Sequence, residues 1–236
     1  ILSKNSKNLD KFFYYNLPNP SRLNKKLIQA MRYSTIGSGK KIRGFLVSET
    51  GKLGLLCNSK KITDDKLKEL TIASAAVEAI HSYSLIHDDL PAMDNSDFRR
   101  GKESTHIKFD EGTAILAGDA LQSWAFELIS NPNNISDIKH ISEIVFSLSK
   151  SIGFLGMAGG QQADIDFQVN NTSKRQIYWI QKKKTVSLID CSVMIGAILG
   201  ECNVEQKRNL LKYSKNLGLA FQIFDDLLDL KGSEFK

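Results

Sequence analysis

Cysteine and proline are scarce in this 236-residue sequence, and each scarcity excludes a kind of protein. The three cysteines, Cys57, Cys191 and Cys202, have neither the spacing of a metal site nor the even number of a disulfide framework. They indicate a reduced, cytoplasmic location. None of the four prolines follows Pro132, so the second half of the chain is free to form long helices.

Long apolar runs and isolated basic blocks are also missing. The longest apolar run, 193–200, is far shorter than the roughly 20 residues of a membrane helix, and the first 13 residues contain no stretch of the signal-peptide type. We therefore expect no integral membrane segment. The net charge of +6 is spread among acidic residues, which does not favour nucleic-acid binding and fits either a lysine-rich surface or an attraction for anionic partners.

Apolar residues recur at helical spacing through most of the chain. From Leu67, for example, they step by three and four through Val77 and Ile80 towards Pro91, and Thr172-Ser173 is a start signal for a later helix. The predicted helices cover residues 67–91, 112–128, 136–153, 157–169, 174–200 and 205–230. No segment alternates convincingly as a strand, so we predict an all-α fold of long packed helices.

Two aspartate clusters are the sharpest feature of the sequence. The first, DDLPAMD, runs from Asp88 to Asp94, and the second, DDLLD, from Asp225 to Asp229. The ends of the second cluster share a helix face, whereas Asp94 rejoins Asp88 only if the helix loosens at Pro91. Leucine, isoleucine and phenylalanine flank both clusters, which argues against solvated surface aspartates. Mg²⁺ prefers hard oxygen ligands and substrate phosphates, and it would relieve the repulsion between these carboxylates.

A glycine-containing basic segment, GSGKKIRG, precedes the first cluster. It places Lys40 and Arg43 three residues apart behind two glycines, which suits the close approach of a phosphate. It is not a nucleotide-binding P-loop, because Ser34 replaces the first glycine and Lys41 replaces the Ser or Thr that binds the metal. Taken alone, the segment fits a surface turn.

Further cationic and polar residues lie beside the aspartates. Arg99 and Arg100 follow the first cluster, and the later KKKT contains Lys184 and Thr185. His81 precedes the first cluster by two helical turns, where a lone histidine is more often structural but is also a credible phosphate donor. Charged runs of this kind are usually solvated faces. Beside inward-facing aspartates, they indicate one diphosphate bridged by Mg²⁺ and a second held by lysine and arginine.

Together these motifs resemble the polyprenyl synthetase family, in particular its bacterial farnesyl-type members. The resemblance spans about residues 31–230 and rests on EAIHSYSLIHDDLPAMD, RRGK, ILAGDALQ, GMAGGQQADID, KKKT and GLAFQIFDDLLD. It implies the all-α isoprenoid synthase fold, with long helices around a central cavity in a single domain over 1–236. Because family members continue past the second aspartate cluster, it also implies a chain without their C-terminal helices.

The activity implied by the resemblance is prenyl transfer. Isopentenyl diphosphate would condense with dimethylallyl or geranyl diphosphate to farnesyl diphosphate by ionisation, condensation and elimination, assisted by Mg²⁺, roughly three ions per active site. The implied partners are these isoprenoid diphosphates and a second copy of the chain in a cytoplasmic homodimer. The cavity must exclude water, because water would trap the carbocation.

The resemblance also implies a role for each motif residue. Mg²⁺ would be bound by Asp88, Asp94 and Asp225, with support from Asp89, Asp226 and Asp229. Isopentenyl diphosphate would be held by Lys40, Arg43, His81 and Arg100. The allylic diphosphate would be held by Arg99, Lys184 and Gln222. The catalytic groups facing the allylic cation would be the Lys184 carbonyl, Thr185 and Gln222.

Product length is implied by the residues just before the first cluster. Tyr83, five residues before Asp88, and Ser84 would lie at the floor of the pocket. In similar enzymes an aromatic floor, together with the insertion Pro91-Ala92, goes with a C15 product. The alternative is that Tyr83 is an ordinary core aromatic and that the product is geranyl or geranylgeranyl diphosphate.

The sequence departs from the family pattern in one motif. The usual GGKRIRP is SGKKIRG here, so Ser38 and Gly44 replace Gly and Pro. The retained Lys40 and Arg43 indicate that the function of the motif is retained.

Three other functions fit part of the pattern. A terpene cyclase of the same fold is disfavoured by DDLLD and by the basic pair Lys40 and Arg43. A metal-dependent phosphohydrolase, suggested by His87-Asp88, needs a dispersed set of histidine and aspartate ligands, and the chain has four histidines. A non-catalytic subunit of a heteromeric synthase would be expected to lose metal aspartates, whereas both clusters are complete here.

Overall fold

Helices make up most of the chain in the computed structural model, which describes residues 1–167 and 173–233, with all side chains in these ranges except those of 222, 223 and 225–233. The elements are α1 Leu2–Asn16, α2 Lys25–Thr35, α3 Ile42–Cys57, α4 Asp64–Asp88, β1 Phe98–Arg99, β2 Lys102–Glu103, α5 Thr105–Lys108, α6 Glu111–Ser130, α7 Ile138–Ile152, α8 Met157–Phe167, α9 Lys174–Gln181, a π-helical turn Lys182–Val186, α10 Ser187–Leu199 and α11 Val204–Ser233. The all-α prediction is confirmed. The antiparallel hairpin β1–β2 was not predicted, because strands of two residues cannot show an alternating pattern.

Two compact units can be distinguished, and the first is built around α4. This unit contains Ile1–Glu49 and Thr63–Ile141. Small side chains let α4 pack closely along α6, and both helices contribute fully buried alanines: Ala73, Ala75, Ala76 and Ala79 from α4, and Ala114, Ala117 and Ala125 from α6. Thr63 caps the start of α4 by accepting the Lys66 N–H. The helix therefore begins at a fixed point and ends, at Asp88, in the first aspartate cluster.

The second unit contains Thr50–Ile62 and the chain from Ser142 onward. Its centre is α10, which is apolar on nearly every side and packs against α11 and the π-helical turn. The predicted start signal of α9 is confirmed at Ser173, and Thr172 lies outside the described residues. Ser173 and Gln176 form a capping box, in which each side chain binds the backbone N–H of the other residue.

The predicted helices differ from the structure in several places. The helix predicted over 67–91 begins and ends three residues earlier, as α4, and the helices α1, α2 and α3 were not predicted. The helix predicted over 174–200 is divided into α9 and α10 by the π-helical turn, because the helical register shifts there. The helix predicted over 157–169 is described to Phe167, and residues 168 and 169 lie outside the described part of the chain.

One segment, Ile138–Phe167, is apolar enough on average to cross a membrane, and it is the only one of its kind among the residues that the structure describes. It is not one helix. It consists of α7 and α8, which have 15 and 11 residues and are separated by a turn in which the Gly156 N–H donates to the Gly153 carbonyl. Each helix is shorter than the roughly 20 residues that a membrane span needs.

Candidate active site

The first aspartate cluster forms a tight turn where α4 ends. Beyond Asp88 the chain folds back, and the N–H groups of Met93 and Asn95 donate to the Leu90 carbonyl at 2.9 and 3.1 Å. The Asp94 N–H then donates to the Asp88 carbonyl at 2.8 Å. The turn thus brings the first and last aspartates of the cluster together, as their six-residue spacing required.

The pair Asp88 and Asp94 fits a Mg²⁺ site. Asp88 is half-buried and Asp94 is exposed, so the two carboxylates offer hard oxygen ligands at the edge of the protein. Asp225 lies in α11, and its side chain, like those of Asp226 and Asp229, is outside the described residues. Among the side chains that are described, no three of the His, Cys, Asp and Glu type gather into a metal site. The structure therefore presents two of the three predicted ligands.

Asp89 has a different environment from the other aspartates of the cluster. It is 3% exposed, and its carboxylate accepts three hydrogen bonds from the Nε and Nη2 of Arg99, at 2.5 to 3.0 Å. The Ser104 hydroxyl donates a further bond at 3.2 Å. This fork satisfies a buried charge and ties the end of α4 to the hairpin. Asp89 therefore supports the cluster, and the Nη1 of Arg99 takes no part in this fork.

The two arginines of the hairpin contact different partners. Arg99 pairs with Asp89, whereas Arg100 and Gly101 form the connecting turn with φ values of +53° and +77°. Positive φ at both central residues is the pattern of a type I′ turn, which fits the twist of a two-residue hairpin. The turn places the Arg100 guanidinium against Gly39, where any Cβ would clash with it.

The loop between α2 and α3 separates the roles of its two adjacent lysines. Lys40 is exposed and lies between two left-handed residues, Gly39 and Lys41, with φ values of +67° and +50°. Lys41 is buried, and its ammonium donates to the carbonyls of Thr35 and Ser38 at 2.7 and 3.3 Å. Lys41 therefore holds the loop together, and Lys40 is presented outward.

A pocket of about 460 Å³ opens beside this loop within the first unit. Its lining includes Lys40, Arg99, Arg100, Asp89 and Ser104. Its volume lies in the usual range for small-molecule sites, and its four cationic side chains, which include Lys102, suit an anionic ligand.

α3 and α4 place Arg43 next to His81. The Nη1 of Arg43 lies 3.0 Å from the Nε2 of His81. Because a guanidinium can only donate, Nε2 must accept, so the imidazole is neutral and carries its proton on Nδ1. Desolvation first, and then the charges of Arg43, Arg100, Arg99 and Lys41, hold the pKa of His81 well below its usual value. His81 therefore orients Arg43 without adding a charge of its own.

The neutral state of His81 predicts a pH dependence of stability. Below about pH 6.5 the unfolded chain binds a proton at this residue that the native protein does not bind. The free energy of unfolding should therefore fall as the pH drops below about 6.5, with His81 contributing up to ~1.4 kcal/mol per pH unit. Urea unfolding between pH 5 and 7.5 checks this, because the slope should be smaller in His81→Gln. Equal slopes in the two proteins would contradict the assignment.

Tyr83 lies on α4 before the first cluster and contacts α6. Its ring meets the His87 ring edge-on at 5.6 Å, and its hydroxyl bonds to Gln122 of α6. Burial, followed by the charge of Asp88, raises the pKa of this hydroxyl, so the phenol stays neutral. The neighbouring Ser84 hydroxyl donates to the carbonyl of its own helix. The structure thus places the ring between α4 and α6, and its role as pocket floor stays a prediction.

In the second unit, Lys184 and Thr185 belong to the π-helical turn. Single π-helical turns occur frequently at functional sites. The Lys184 ammonium donates to an Asp164 carboxylate oxygen at 2.7 Å, and Gly160 lets α8 approach the turn so closely that a Cβ would clash with the Lys184 peptide. Gln222, the third predicted group, has a side chain outside the described residues.

Two acidic residues in the first unit were missed by the sequence reasoning. Glu78 is 5% exposed and accepts the Gly44 N–H at the start of α3, at 2.8 Å. This bond explains why proline, which has no N–H, is absent there, and glycine is favoured because a Cβ would lie 2.7 Å from Leu9 Cδ1. Asp10 of α1 accepts the Gly37 N–H at 2.8 Å. Neither gives a signal in the sequence, because a single acid within a helix has the pattern of an ordinary surface residue.

Comparisons with known proteins agree with this geometry. The profile of the family described as Polyprenyl synthetase matches residues 24–236. The farnesyl diphosphate synthases of Haemophilus influenzae and Escherichia coli are each 41% identical to the chain, over 89% of it and 68% of their own length. The crystal structure of an FPP/GFPP synthase from Zymomonas mobilis covers 97% of this chain and 80% of its own, with a TM-score of 0.89 and 37% identity. The chain, with its helical isoprenoid synthase fold, therefore belongs to the polyprenyl synthetase family.

Proposed function

We propose that the protein is a short-chain prenyl diphosphate synthase that condenses isopentenyl diphosphate with dimethylallyl or geranyl diphosphate to farnesyl diphosphate. The observation that carries this proposal is the basic pocket with Lys40 and Arg100, whose lining includes Asp89 of the first aspartate cluster. A condensing enzyme needs two diphosphate sites, one basic and one with metal ligands. The curated relatives named above carry the name farnesyl diphosphate synthase, which supports the same product.

The residues of the first unit supply the binding chemistry. Lys40, Arg43 and Arg100 provide positive charge for the isopentenyl diphosphate, and neutral His81 keeps the Arg43 guanidinium in place. Asp88 and Asp94 would hold Mg²⁺, which when bound neutralises the diphosphate that leaves the allylic substrate.

The proposed reaction follows from this arrangement of charges. The allylic C–O bond breaks and its electron pair leaves with the diphosphate. The double bond of isopentenyl diphosphate then forms the new C–C bond, and the resulting cation loses a proton to the departed diphosphate. Lys184, Thr185 and Gln222 would face the allylic cation, and Arg99 and Lys184 would hold its diphosphate. About three Mg²⁺ ions, a homodimer, one domain and a cytoplasmic location complete the proposal and stay predictions.

A product assay tests the proposed function. The protein is incubated with isopentenyl and dimethylallyl diphosphates, with Mg²⁺ or with EDTA, and the alcohols released by phosphatase are identified by mass. We expect farnesol, and only with Mg²⁺. A cyclic hydrocarbon would support a terpene cyclase, and the absence of any condensation product would support a non-catalytic subunit.

Replacing Gly39 by alanine should weaken isopentenyl diphosphate binding, because the new Cβ clashes with the Arg100 guanidinium. We expect KM for isopentenyl diphosphate to rise about tenfold or more, with little change in KM for the allylic substrate. Gly37→Ala is the matched control, since Gly37 has nearly the same positive φ but open space around a Cβ. Steady-state kinetics of both variants test this prediction. An equal rise in KM for isopentenyl diphosphate in the two variants would show that backbone strain, not the clash with Arg100, weakens binding.

Replacing Tyr83 by alanine should lengthen the product from C15 to C20 or longer. The smaller side chain removes the ring that lies between α4 and α6 before Asp88, and so deepens the space available to the growing chain. Tyr83→Phe keeps the ring and should still give C15. Mass analysis of the products tests this, and a C15 product from the alanine variant would exclude Tyr83 as the floor.

A further inference from the structure

We infer that Asp10, on the N-terminal helix, is a positioning residue for the isopentenyl diphosphate site. The inference rests on the proposed function, because it concerns the loop that carries Lys40. Asp10 lies before residues 24–236, which match the family profile, and the motifs of the sequence assign it no role. Its contacts give it one.

A single carboxylate oxygen of Asp10 joins both ends of the loop. Its Oδ1 accepts the Gly37 N–H at 2.8 Å and lies 3.1 Å from the Lys41 ammonium. The Ser6 hydroxyl, one turn earlier on α1, donates to the Gly39 carbonyl at 3.4 Å. Helix α1 therefore holds the loop at its first, middle and last residues.

The Lys41 ammonium depends on this partner. The Lys41 side chain is 2% exposed, and its three donors meet two backbone carbonyls and Asp10. The buried ring of Phe13, also on α1, lies 5.4 Å from the ammonium. Asp10 is the carboxylate at this buried charge, and a buried charge that loses its counter-charge destabilises the local structure.

Lys40 and Arg100, the two predicted diphosphate contacts near the loop, both depend on its position. Lys40 lies between Gly39 and Lys41, whose left-handed backbones fix its direction. The Arg100 guanidinium rests against Gly39, so a displaced Gly39 removes the surface against which it packs. A loop released from Asp10 therefore misplaces two cations of one site and leaves the paired aspartates at the end of α4 untouched.

The test is the kinetics of Asp10→Asn, with Lys11→Gln as the control at an exposed neighbour on the same helix. We expect KM for isopentenyl diphosphate to rise about 10- to 100-fold in Asp10→Asn, with KM for the allylic diphosphate changed less than about twofold. A purely structural role would lower the melting temperature without this split between the two substrates. An unchanged KM for isopentenyl diphosphate, or equal rises for both substrates, would overturn the inference.

A double variant separates positioning from stability. Asp10→Asn combined with Lys41→Met removes both charges of the pair, so the melting temperature should recover towards that of the wild type. KM for isopentenyl diphosphate should stay raised, because the Gly37 N–H still lacks its carboxylate and the loop has lost its Lys41 contacts. Recovery of both quantities together would show that Asp10 acts only on stability.

Calorimetric titration with inorganic pyrophosphate tests the positioning role of Asp10 separately from the proposed synthase function. If the wild-type protein makes no prenyl product, the proposed function fails. Weaker pyrophosphate binding in Asp10→Asn than in Lys11→Gln would still support the positioning role, and equal binding would exclude it.

Discussion

Replacing Asp88 by asparagine should lower kcat/KM about 100- to 1000-fold, the size of effect seen when one well-placed electrostatic group is removed from an active site. Asparagine keeps the shape of the side chain but loses the negative charge that Mg²⁺ requires. The backbone bond between the Asp94 N–H and the Asp88 carbonyl is unaffected, so the turn should keep its geometry. Rates measured over a Mg²⁺ titration should also show a much weaker response to the metal.

The control for this prediction is Asp97→Asn. Asp97 is an exposed aspartate between the same turn and the hairpin, and the Ser104 N–H bonds to its backbone carbonyl rather than to its side chain. It should retain nearly all activity. If Asp88→Asn also stays within about threefold of the wild type, Asp88 does not hold the metal, and the proposed site is wrong.

Replacing Asp89, the very next residue, should instead destabilise the fold. Asp89→Asn leaves the Arg99 guanidinium without its counter-charge beside a buried site. Because Arg99 is 36% exposed and water can solvate part of it, we expect a loss of about 2–4 kcal/mol in the free energy of unfolding, less than for a fully buried pair. Urea or thermal unfolding measures this loss.

The neighbouring variant and a double variant sharpen the Asp89 prediction. Asp88→Asn should unfold within about 0.5 kcal/mol of the wild type, because Asp88 is at the edge of the protein. Combining Asp89→Asn with Arg99→Gln should recover part of the lost stability, since both charges of the pair are then gone. An Asp89→Asn protein as stable as the wild type would show that the fork contributes little.

The aspartate clusters stand out in the sequence because they break a strong rule. Carboxylates flanked by large apolar residues need a partner, and this requirement can be read from the sequence without knowing the fold. The turn that joins Asp88 to Asp94 was predictable for a related reason, since Pro91 interrupts the helix in a known way. The helical class followed from periodicity over long segments, which is the most reliable local signal.

The different environments of neighbouring residues within each motif were not predictable. Asp88 and Asp89 are identical in the sequence, and so are Lys40 and Lys41, yet Asp89 and Lys41 are buried, whereas Asp88 is half-buried and Lys40 is exposed. Which member is buried depends on helix phase and on the left-handed backbone of the loop, and both are set by tertiary packing. The π-helical turn at Lys184 is hidden for a similar reason, since nothing in KKKT distinguishes a shifted helical register from a regular one.

The fork between Asp89 and Arg99 has a consequence for repeated condensation. It joins the hairpin to the end of α4, so the Asp88–Asp94 turn and the Arg100 turn are held in a fixed arrangement. Because both turns are proposed to bind a diphosphate, we expect the separation of the two diphosphates not to depend on which hydrocarbon lies in the pocket. A five-carbon and a ten-carbon allylic substrate would then meet the same head-group spacing, and only the depth available to the tail would decide when elongation stops.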